Sequence, residues 1–153
     1  LLCVFLLISA TACHRPDRRA FEGVERASKA IQDAIDTKAT LPRYRELLDT
    51  YSTELSGAQQ RADASRERAV LSEYEAALKG LTDIRLVWEA KDARGSEMLP
   101  IRDDLPARIA REYDLGVNTN EPPSIYADEA MHTIWEAARR HLRAARQALG
   151  YGL

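Results

Sequence analysis

Residues 41–93, LPRYRELLDTYSTELSGAQQRADASRERAVLSEYEAALKGLTDIRLVWEAKDA, decide the fold class. Leu41, Tyr44, Leu48, Tyr51, Leu55, Ala58 and Ala62 recur at alternating steps of three and four, the seam of a coiled-coil-like helix. The stripe resumes at Val70, Tyr74, Ala77, Leu81, Ile84 and Trp88, after an eight-residue step that slips the phase as a stutter does. Gly57 is a candidate helix end, but the stripe holds its phase across it, and one exposed glycine costs only ~1 kcal/mol. The expectation is one long central helix over about 41–93, reaching ~80 Å at 1.5 Å per residue.

Outward from that stretch the same period continues, with almost no alternation at two, so the chain reads as all-α with no sheet. A helix over about 17–37 carries Phe21, Val24, Ser28, Ile31 and Ile35 on one stripe. Thr40 then offers a cap and Pro42 fits a first helical turn, where backbone donors are unpaired anyway. Gly95, Ser96 and Pro100 mark a loop, Asp104 and Pro106 open a short helix over about 104–115, and residues 118–123 form a second loop. Ser124 offers a cap for a last helix over about 124–149, striped by Met131, Trp135, Ala138, Leu142, Ala145 and Leu149. The first and last helices are short enough to tile the two halves of the central one, giving an elongated antiparallel bundle. Any length of the central helix left unpaired would bury itself in a second copy, so a homodimer is expected. Tyr44, Tyr51, Tyr74, Trp88 and Trp135 sit at stripe positions and read as core.

The 153 residues suit one domain, here 19–153, with 30% charged and 45% apolar residues and few glycines and prolines. The 22 basic and 24 acidic side chains cancel almost fully, so no global field draws in nucleic acid, and electrostatic partners must be met locally. Cys3 and Cys13 are the two cysteines, which leaves the body without thiols.

Residues 1–8, LLCVFLLI, are unbroken apolar sequence followed by Ser9, Ala10, Thr11, Ala12 and Cys13. A membrane-spanning helix needs about 20 apolar residues, whereas this run matches the apolar region of a signal peptide over 1–12. Ala10-Thr11-Ala12-Cys13 resembles the lipobox of bacterial lipoproteins, with Ala10 where Leu is more usual. The resemblance implies cleavage before Cys13, acylation of its thiol, and a lipid anchor, with residues 13–18 as the tether. His14, where an Asp would favour retention at the inner membrane, implies the periplasmic face of an outer membrane in an organism that has one. The alternative is ordinary secretory cleavage, since Ala10-Thr11-Ala12 also suits the general signal peptidase. The missing Met and basic lead imply that the true amino terminus lies upstream of Leu1.

Few constellations carry chemistry. Glu129 and His132 form Glu-x-x-His, half of the di-metal motif of helical bundles, but no second half exists in the sequence. The alternative is a solvated helical face. Arg139, Arg143 and Arg146 share a face that suits phosphates, headgroups or carboxylates, or that simply complements the helix dipole. No nucleophile motif, phosphate-binding glycine loop or metalloprotease motif is present, and no cofactor is implied. The function these features imply is a lipid-anchored helical interaction or scaffolding module of the cell envelope, not an enzyme, holding a protein or envelope polymer. A periplasmic small-ligand or metal-binding bundle is the alternative.

Overall fold

The computed structural model describes residues 17–63, 65 and 67–151, so the signal segment, Cys13 and the first residues of the tether lie outside the described residues. Helix α1 spans Arg18–Asp36 and starts where Asp17 accepts the Arg19 backbone N–H at 3.0 Å, a side-chain cap on an otherwise unpaired donor. Its Phe21, Val24, Ser28 and Ile31 face inward as the stripe requires, while Ile35 is half-buried. Helix α2 spans Leu41–Arg61 with Pro42 in its first turn, and buries Leu41, Tyr44, Leu48, Tyr51, Leu55 and Ala58. Thr40 stands at its N-cap but makes no side-chain cap bond.

The long central helix is not formed. Gly57 stays helical, as its stripe indicates, but the chain leaves α2 at Ala62 and re-enters a helix, α3, at Arg68–Arg94. The phase slip between Ala62 and Val70 is therefore a reversal and not a stutter. Short polar side chains make the turn: Asp63 accepts from Ser65 N at 3.0 Å and Ser65 Oγ at 2.6 Å, competing with the helical backbone. Glu67, 4% exposed, then receives the backbone N–H of Asp17 at 2.7 Å and that of Asp63 at 2.9 Å, tying the turn to the start of α1. Because α3 folds back on α2, the unpaired length that motivated a homodimer is buried within the chain.

Two further corrections concern the loops. Met98–Pro100 (β1) and Ser124–Tyr126 (β2) pair antiparallel with Leu99 opposite Ile125, a small sheet where none was expected. Both of those side chains are buried, and hydrophobic cover at this end explains why so short a pair forms. Ser124 consequently lies in the strand, and the last helix, α5, spans Ala127–Ala148 with Tyr126 at its N-cap. Helix α4, Asp104–Glu112, ends before Gly116 because Asp114 itself adopts a left-handed backbone (φ 50°).

Helices α1, α2, α3 and α5 form an antiparallel ring, an all-α bundle with β1, α4 and β2 inserted between α3 and α5. Tyr44 Oη donates to Leu81 O at 2.9 Å and Tyr51 Oη to Tyr74 O at 3.1 Å, fixing the α2–α3 register. Arg61 reaches Ala20 O at 3.2 Å between α2 and α1, and His141 meets Glu73 at 2.7 Å between α5 and α3. Tyr44, Tyr51, Tyr74 and Trp135 join the core as the stripes require, with Trp88 half-buried against it. Burial holds all three tyrosine hydroxyls well above their ordinary pKa.

Candidate functional site

Three sides of the ring are packed closely, and the fourth is not. Helices α1 and α2, α2 and α3, and above all α3 and α5 lie against each other along their lengths, whereas α1 and α5 approach far less closely. Gly80 explains the tight α3–α5 side: an added Cβ there would stand 3.2 Å from Ala138 Cβ, so two small residues let the backbones meet. On the α1–α5 side long charged residues replace them.

Among the described residues, hydrogen bonds and ion pairs bridge the α1–α5 seam at one end only. Arg18 Nε donates to Leu149 O at 2.8 Å, its Nη2 bonds Gly150 O, and its guanidinium lies 4.6 Å from the Tyr151 ring centre. One turn on, Arg146 pairs with Glu25 at 3.2 Å, and Glu25 also accepts the Tyr74 hydroxyl. A hollow of about 590 Å³ is lined by Arg26, Lys29 and Asp33 of α1 and by Arg139, Leu142, Arg143 and Arg146 of α5, with Glu25 and Ser28 below. Arg139 is held by Glu136 at 2.8 Å and rests over the Trp135 ring at 5.9 Å. Arg26, Lys29 and Arg143 make no ion pair among the described residues.

Directly beyond it, at the end of the ring where α1 finishes and α5 begins, lies a second recess of about 430 Å³. All four ring helices contribute: Ala34 and Ile35, Tyr44, Ile84 and Trp88, and Met131 and Trp135. Its wall is apolar, and its mouth carries Lys38, Lys91, Asp128 and His132. Lys91 is committed, pairing with Asp128 at 2.7 Å and Glu97 at 2.5 Å, and those hydrogen bonds raise its pKa above the ordinary lysine value. A recess of this size and lining falls in the ~300–1,000 Å³ range of small-molecule sites between bundle helices.

The structure thus gathers most of the residues singled out in the sequence into two neighbouring hollows along one seam. Arg139, Arg143 and Arg146 line its charged half, and His132 stands at the mouth of its apolar half. Glu129 is exposed on α5, outside both hollows, and among the described residues no group of three His, Cys, Asp or Glu side chains converges on a metal position. Cys13 lies outside the described residues. The sequence reading missed Arg26 and Lys29, the α1 half of the cationic wall. Their signal was available: they lie three residues apart, off the apolar stripe of α1, much as Arg139 and Arg143, four apart, lie off that of α5.

A second charged cluster, also missed, lies across the bundle. Asp83, 3% exposed, accepts from Arg108 Nη2 at 2.6 Å, Tyr113 Oη at 2.7 Å and Lys79 Nζ at 3.1 Å. Burial opposes its ionisation, but those three donors outweigh burial and hold the carboxyl below its ordinary pKa. Tyr113 shifts the other way, its hydroxyl raised by burial and by donating to Asp83. Arg108 and Tyr113 on Asp83, with Lys79 on Glu112, fasten α4 to α3.

Searches against protein-family models, curated proteins and solved structures return no match to this chain. Among the described residues no helix is long and apolar enough to cross a membrane.

Proposed function

We propose that the protein is a lipid-anchored, non-catalytic interaction module of the cell envelope that holds its partner in the seam between α1 and α5. The observation that carries this reading is the seam itself: the bundle is closely packed on three sides and left open on the fourth, where cationic and aromatic side chains collect. Acylation of Cys13 supplies the anchor. Asp17 follows Cys13 by only four residue steps, so the lipid would lie within ~14 Å of the start of α1 at the chain's greatest extension. The end of the bundle bearing Asp17, the 62–67 turn and Tyr151 then faces the membrane, and the seam runs away from it.

The alternative of a small-ligand bundle gains support from one specific feature, the apolar recess reaching inward to Tyr44 and Ile84. The test is capture from detergent-solubilised membranes, with bound proteins, polymers and lipids analysed together. Wild type is expected to retain a specific partner that a Lys29→Glu, Arg143→Glu variant loses. Repeated recovery of nothing specific by wild type would contradict the proposal.

A further inference from the structure

We propose that the seam takes a single-chain amphiphile with an anionic head, its apolar tail in the tryptophan recess and its head on the cationic wall. The proposal deepens the reading of the seam as the working surface and rests on it.

Two adjacent halves of one groove carry the inference. The recess is built from four helices, is lined by Ile35, Ile84, Trp88, Met131 and Trp135, and reaches between them to the buried Tyr44 as a half-open slot of about 430 Å³. A partner helix is about 10–12 Å across with its side chains and needs an open trough, whereas an alkyl chain fits a slot. Next to the slot, five cations face two carboxylates, Glu25 and Asp33. Glu25 is already occupied by Arg146 and Tyr74, and Arg139 by Glu136. Arg26, Lys29 and Arg143 remain, three cations with only Asp33 to offset them, on walls that face each other. The spacing suits one molecule: along α5, Arg139 is ~6 Å and Arg143 ~12 Å from Trp135 at 1.5 Å per residue, the reach of a medium-length chain. A cation or a neutral head would leave that wall uncompensated, which sets the sign of the head.

The protein carries a convenient reporter, because its two tryptophans, Trp88 and Trp135, both line the recess. The full chain in zwitterionic nanodiscs is titrated with decanoate, and with decanol, decyltrimethylammonium and inorganic phosphate for comparison, empty discs serving as blanks. Decanoate is expected to change tryptophan emission saturably, phosphate alone to leave it unchanged, and decyltrimethylammonium to bind far more weakly. Arg143 is exposed, so Arg143→Glu is expected to keep the wild-type melting curve while weakening decanoate about tenfold, the loss of one charged hydrogen-bonding partner. Equal binding of decanol and decanoate, or indifference to Arg143→Glu, would overturn the anionic head. No response to decanoate with a clear response to an acidic amphipathic peptide would overturn the proposal in favour of a partner helix. If decanoate fails while the same variant still abolishes capture from membranes, the ligand class falls and the seam stands; if capture is indifferent too, both fall.

Discussion

A carboxylate can be buried in α3 because three donors converge on it. Asp83 sits between Leu81 and Ile84, three residues after Gly80 and four before Val87, so it occupies an inward position where the sequence shows an acid among apolar neighbours. That irregularity was legible; its partners were not, since Arg108 and Tyr113 come from an insertion whose fold the periodicity does not determine. Removing the acid by Asp83→Ala takes the acceptor from Tyr113 Oη and leaves Arg108 and Lys79 with Glu112 alone, and urea melts at neutral pH are expected to show a loss of about 1–2 kcal/mol. The pH dependence has a definite sign. A carboxyl held below its ordinary value of about 3.9 stabilises the fold fully above that pH, and the contribution is lost as pH falls through the depressed value. Stability of wild type should therefore drop in acid more than that of Asp83→Ala, with the two curves converging below about pH 4. At Cys13 the expectation is chemical: labelled palmitate enters the wild-type protein, and Cys13→Ser abolishes the label and releases the protein from the membrane fraction.

At the scale of elements, the starts of α1, α2 and α4 and the helical character of every long segment were readable from period, caps and proline placement. The break between α2 and α3 was readable only as a slipped phase, because a stutter and a tight reversal leave the same trace in a stripe. Glu67 ties the reversal down: one acceptor serves Asp63, four residues away, but the other serves Asp17, fifty positions away, and that contact carries no local signature. The two-strand sheet was hidden for a similar reason: three-residue strands are too short for alternation to register. Glu67→Ala is expected to cost about 1.5–3 kcal/mol through two lost charge-assisted hydrogen bonds. Hydrogen exchange should show the loss at both the first turn of α1 and the 62–67 turn. Gly80→Leu places a branched side chain against Ala138 on the closely packed α3–α5 side, and thermal melting should register about 1–3 kcal/mol of destabilisation. The same change on the exposed face of α2, at Ser52, should leave stability within about 0.5 kcal/mol.

For the whole molecule, the division between a sealed and an unsealed side governs the account. Closely packed faces at α1–α2, α2–α3 and α3–α5 supply the fold; the α1–α5 face holds Arg26, Lys29 and Arg143 in one hollow, and Trp135 lines the next with Trp88 of α3. Half of this seam was legible beforehand in the arginines of α5. The rest required knowing that α1 returns to lie beside α5, which no local pattern specifies. The electrostatic part of partner retention should weaken as salt rises, since exposed charges are screened within a Debye length of ~8 Å at physiological ionic strength. Retention measured from 0.05 to 0.5 M salt is therefore expected to fall, with its apolar part persisting. The most direct measurement places a photo-crosslinking residue, in growing cells, at Lys29 and His132 in the seam and at Asp49 and Ser72 on the exposed α2–α3 side. Adducts are then read by mass on the purified protein. Adducts confined to Lys29 and His132 are the expected result; adducts equally frequent at Asp49 and Ser72, or concentrated there, would contradict the assignment of the seam as the working surface.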